Sequence, residues 1–68
     1  MDSNYIQKQL TLYYGTTNQA AKSDALWRIA SNADIFSAEE LNSVDNHAMP
    51  DDMQTEITEW CFKNKFYF

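Results

Sequence analysis

Apolar residues in this chain recur three and four positions apart, and that spacing is the strongest constraint on its fold. Ile6, Leu10 and Tyr13 fall at i, i+4 and i+7. Ala21, Ala25, Ile29 and Ala33 form a second row, widened by Leu26 and Ala30. Met53, Ile57, Trp60 and Cys61 form a third. Such rows lie on one face of an α-helix, whereas a half-buried strand alternates at every second residue. No convincing alternation appears. The reading is an all-α domain, a small bundle of three to four short helices over residues 1–68.

The breaks between the rows carry helix-end chemistry. Asp2 or Ser3 can cap a first helix over about 3–14, and Gly15 offers the left-handed residue that commonly ends one. Thr16 with Gln19 matches a capping box for a second helix over about 17–32. Ser37-Ala38-Glu39-Glu40 is the strongest start signal, with Phe36 and Leu41 in staple positions, and predicts a helix over about 38–46. Pro50 precedes a fourth, for which Asp51 and Gln54 suggest another box. Glu59 and Lys63 stand at i, i+4 there, a spacing that supports an ion pair.

A chain of 68 residues holds one domain, with no room for a barrel or a dinucleotide fold. One cysteine excludes an internal disulfide and a four-cysteine zinc site. Small oxidised domains usually carry several cysteines, and no signal-peptide pattern or membrane-length apolar run is visible. A reducing, cytoplasmic setting without membrane contact is the expectation. Domains this small often gain stability from a second subunit, so a homodimer is the alternative state.

Charge is unevenly distributed. Asp2 and Asp24 face Lys8, Lys22 and Arg28 in the first 28 residues. Residues 29–62 then carry eight acids (Asp34, Glu39, Glu40, Asp45, Asp51, Asp52, Glu56 and Glu59) and no Lys or Arg. Lys63 and Lys65 follow, leading into Phe66-Tyr67-Phe68, and the net charge is −5. That balance opposes direct binding of nucleic-acid phosphate.

The acids admit two readings. Carboxylates in first turns, such as Glu39, Glu40, Asp51 and Asp52, interact favourably with the helix dipole. Asp52, Glu56 and Glu59, however, share one face at i, i+4 and i+7, where like charges repel slightly. A basic protein partner would relieve that repulsion. These three, supported by Glu39, Glu40 and Asp45, are the expected partner-binding residues. The expected function is a non-catalytic module, an inhibitor or modulator covering a basic, nucleic-acid-binding surface of a larger protein. Small acidic chains of phages and mobile elements are the analogy. The alternative is an assembly module that self-associates through its apolar stripes, with Phe66, Tyr67 and Phe68 either completing the core or anchoring a partner.

Catalytic and metal signals are weak. His47 lies near Asp45, Asp51 and Asp52 but matches no zinc spacing, and reads as a loop histidine. Cys61 lies on the apolar row and reads as a small buried hydrophobe. The 45–52 segment lacks the ligand order of a calcium loop. Neither cofactor nor metal is expected, nor enzymatic activity. The stretch Tyr13-Tyr14-Gly15-Thr16-Thr17-Asn18-Gln19-Ala20-Ala21-Lys22 resembles the opening of phage Cro-type helix-turn-helix domains. That family needs a turn and a basic recognition helix next. This chain continues as Ala25-Leu26-Trp27-Arg28-Ile29-Ala30 and then turns acidic, so it is assigned to no family.

Overall fold

The computed structural model describes residues 1–68 and contains four helices and no strand. They are α1 (Ser3–Gly15), α2 (Gln19–Asn32), α3 (Ala38–Asn42) and α4 (Asp51–Lys63). The small helical bundle read from the sequence is therefore the fold.

Helices α1 and α2 form an antiparallel hairpin joined by three residues. Polar links fasten it along its length. Lys22 Nζ donates to the Tyr13 carbonyl at 2.8 Å near the turn, and Arg28 Nε donates to Gln9 Oε1 at 2.8 Å midway. At the open end the Asp2 amide donates to Asn32 Oδ1 at 2.9 Å. Helix α2 is the central element. The other three each pack on it, and no Cα of α1, α3 or α4 comes within 8 Å of a Cα in another of those three.

The core gathers Ile6 and Leu10 from α1, Leu26, Ile29 and Ala30 from α2, and Leu41 from α3. Ile57 and Cys61 of α4 complete it, with Met49 from the preceding loop. Each fully buried aliphatic side chain contributes about 1.5–3 kcal/mol of transfer free energy. Two sequence assignments shift slightly. Ala21 is exposed, and Ser23 takes a buried place on α2. Met53 and Trp60 are half-buried at the edge of the core.

The caps show where local chemistry decided. Asp2 accepts from the Tyr5 amide at 3.1 Å, as expected. The Ser37 box forms in full: Ser37 Oγ accepts from the Glu40 amide at 3.1 Å, and Glu40 Oε1 accepts from the Ser37 amide at 3.0 Å. The helix it starts stops at Asn42, four residues earlier than expected. A turn follows, with Asp45 Oδ1 accepting from the His47 amide at 2.9 Å.

Two other boxes do not form. Helix α2 is capped by Asn18, whose Oδ1 accepts from the Ala21 amide at 3.0 Å, while Thr16 Oγ1 takes the Asn18 amide. Asn is at least as good a cap as Thr, and Asn18 sits two residues closer to the helix than Thr16. Pro50 occupies the cap position of α4 and has no side-chain acceptor. Gln54 instead donates to the Met49 carbonyl at 2.8 Å.

The left-handed positions also differ from expectation. Gly15 does not adopt positive φ; Asp34 (φ 54°) and Lys65 (φ 64°) do. Both follow a helix end and let the chain reverse. After α2 the Ile35 amide donates to the Ala30 carbonyl at 3.1 Å, and after α4 the Phe66 amide donates to the Cys61 carbonyl at 2.9 Å. The Lys65 amide donates to the Phe62 carbonyl at 3.2 Å. This pair of bonds at the end of α4 is the Schellman arrangement, in which the residue after the left-handed one packs back on the last turn. Phe66 does so, stacking on Trp60 with ring centroids 5.9 Å apart.

Candidate functional site

The exposed face of α4 carries the row expected to bind a partner. Asp52, Glu56 and Glu59 are all exposed. At 1.5 Å of rise per residue they are spaced about 6 and 4.5 Å along the axis. That row is sparser than the roughly 3.4 Å between charges on one duplex strand. A fourth carboxylate thickens it. The reversal after α2 carries Asp34 to the rim of a concavity of about 330 Å³ that it shares with Ile35, Glu56, Glu59, Trp60 and Lys63. The spacing rules that find faces of one helix do not reach across a 22-residue separation, so they do not reveal that Asp34 belongs with this face.

None of these carboxylates has a cationic partner. The one close contact between a basic and an acidic side chain, His47 Nδ1 to Asp24 Oδ1 at 2.8 Å, ties the 45–49 loop to α2 and touches none of them. The expected Glu59–Lys63 pair does not close, although both side chains border the same concavity. All eight acids between residues 29 and 62 are exposed. The supporting residues have local duties as well. Glu40 caps α3 and Asp45 holds its turn. Because α3 stays clear of α4, Glu39 and Glu40 do not join the α4 row directly.

The three tail aromatics divide. Phe66 is half-buried against Trp60, whereas Tyr67 and Phe68 lie on the surface. Tyr67 meets Phe62 edge-on at 5.3 Å, Phe68 lies against Tyr14 at 4.9 Å, and Gln7 Nε2 ties the Tyr67 carbonyl to α1 at 2.8 Å. These rings border a cleft of about 310 Å³ between α1 and α4. Tyr14 and Phe62 belong to this surface. Helical spacing does not mark either of them, because each lies off its helix's core stripe.

Other reactive groups are committed elsewhere. Cys61 is buried, and desolvation pushes its thiol up to about 11, which opposes nucleophilic use at neutral pH. Tyr13 is also raised, first by burial and then by its neighbour Tyr14. His47 helps pin its loop to α2 through Asp24, whose Oδ1 also accepts from Asn46 Nδ2 at 2.9 Å. No group of three or more His, Cys, Asp or Glu side chains is placed to hold a metal ion. No helix is long and apolar enough to cross a membrane.

The chain matches no protein-family model, curated protein or solved structure. The likeness to Cro-type domains finds no support in the fold either. Helix α2 runs unbroken from Gln19 to Asn32, where that family turns, and α3 is short and carries Glu39 and Glu40.

Proposed function

We propose that this protein is a non-catalytic binding module whose α4 carboxylates engage a basic surface on a larger protein, of the kind that otherwise holds nucleic acid. The observation that carries this reading is the unneutralised row itself: Asp52, Glu56 and Glu59, joined by Asp34, are exposed and unpaired. Mutual repulsion on the helix costs a few tenths of a kcal/mol per pair, about 0.2–0.5 each. A cationic groove would relieve it and gain attraction as well. Occupying such a groove excludes its nucleic acid and makes the module an inhibitor or modulator.

The test uses wild-type protein and the Asp52→Asn/Glu56→Gln/Glu59→Gln variant as baits in a lysate of the source cells. Wild type should capture a basic protein that duplex DNA or RNA displaces and that about 0.5 M salt releases. The variant, equally helical by circular dichroism, should not capture it. Equal capture by both baits, or a partner indifferent to nucleic acid, refutes the reading.

A further inference from the structure

The acidic row leaves another surface unexplained. On α4 the direction of Thr58 and Phe62 lies roughly 100° around the helix from that of Asp52, Glu56 and Glu59, at 100° per residue. There, α1 and α4 do not close on each other. Buried Leu10 and Cys61 form the floor of the cleft between them, and Tyr14, Phe62, Tyr67 and Phe68 wall it. Phe62 is 67% exposed and Phe68 78%.

We propose that this cleft is covered by a second copy of the chain, packed about a two-fold axis. Self-complementarity is the first argument. A two-fold contact joins one patch to itself, so the patch must supply both projections and the hollow that receives them. This patch does: the rings of Phe62 and Phe68 project beside a hollow of about 310 Å³.

Area is the second. Tyr14 is 43% exposed and Tyr67 53%. At about 200 Å² per aromatic side chain, the four rings present about 500 Å² of largely apolar surface. A stable dimer covers about 800 Å² per subunit, and about 65% of a homodimer interface is apolar. The rings alone approach that apolar share, and the Gln7 and Thr58 side of the cleft extends the rim.

Charge is the third. No Asp or Glu side chain lines the cleft. Two chains of net charge −5 can therefore meet here with their acidic rows turned away. Only 12 of 68 residues are buried in the single chain, and domains this small commonly gain stability by associating. The dimer would present two acidic rows, but the inference does not depend on what those rows bind.

Light scattering and sedimentation equilibrium test it on the full chain, from the low micromolar range to about 0.5 mM. The mass should rise from 7.9 kDa towards twice that value with concentration. It should persist in about 1 M salt, where the screening length is about 3 Å. Phe62→Asp/Phe68→Asp, and Phe68→Asp alone as the milder change, should raise the dissociation constant at least about 30-fold with the circular dichroism unchanged. The Asp52→Asn/Glu56→Gln/Glu59→Gln variant should still dimerise. A wild-type mass fixed at one chain overturns the proposal, as does a folded aspartate variant that associates normally. A monomer that binds phosphatidylglycerol vesicles and loses them on Phe68→Asp would give the cleft to a lipid surface and equally overturn it.

Discussion

Replacing Ser23 with alanine should destabilise the protein more than any surface serine would. Ser23 is 1% exposed, and its hydroxyl works twice. It accepts from the Met49 amide at 2.7 Å and donates to the Asn46 carbonyl at 2.7 Å. Alanine fits the space but orphans the Met49 amide beside the buried Met49 side chain. A buried polar group left unpaired costs about 1–3 kcal/mol. A 68-residue domain has about 3–10 kcal/mol of stability in total, so a loss near 2 kcal/mol is a large fraction. At about 4–8 °C per kcal/mol it should lower Tm by about 8–16 °C. Ser43→Ala is the matched control, since that exposed hydroxyl caps only the Glu40 carbonyl at 2.7 Å, and it should stay within about 0.5 kcal/mol. Thermal and urea melts by circular dichroism give the numbers, and hydrogen exchange at the Met49 amide localises the effect. A Ser23→Ala protein melting within about 2 °C of wild type would refute the argument, because water would then have to reach that amide.

Two further outcomes follow from the helix ends and the core. Lys65→Gly should stabilise by about 0.5–1 kcal/mol, since relief of the left-handed strain outweighs glycine's entropy in the unfolded chain. Lys65→Ala, which keeps a Cβ, should not; a Tm for Lys65→Gly at or below wild type sinks this account. Cys61 should react with a disulfide reagent at pH 8 at least about 100-fold more slowly folded than unfolded. Its folded thiol is raised to about 11 from an ordinary 9.0, so unfolded chains ionise first as pH rises. Stability should hold below pH 9 and fall between about 9 and 11. The raised Tyr13 adds a loss of the same sign, so Cys61→Ala should remove only part of the decline.

The elements legible in the sequence are those whose signal is local. The Ser37-to-Glu40 box could be read down to its two hydrogen bonds, because both partners lie within one turn. The Ile6–Leu10 and Ile57–Cys61 pairs are buried as their spacing implies. Met49 was not legible as core. It stands in a polar loop with no periodicity around it, and it is held inside by Ser23, 26 residues away. Ser23 was hidden for the same reason, since a hydroxyl on an apolar stripe looks like a flaw until both its partners are known. Asp34 was visible as one acid among eight. Only the reversal through its own left-handed backbone brings it beside Glu56 and Glu59.

The same kind of reversal divides the tail, whose aromatics the sequence reads as either core or anchor. With Lys65 left-handed, the Phe66 amide bonds back to Cys61 and the ring is turned onto Trp60. The next residues then form a wall of the α1–α4 cleft, with the Tyr67 carbonyl fastened to Gln7. One backbone position therefore packs Phe66 against the edge of the core and leaves Tyr67 and Phe68 outside, where they join Tyr14 and Phe62. Neither the aromatic surface nor the enlarged acidic row is encoded by a contiguous run. Each is assembled by a non-glycine residue at a helix end, Lys65 for one and Asp34 for the other. This makes those two strained positions, rather than the chain's single glycine, the points at which the fold builds its candidate surfaces.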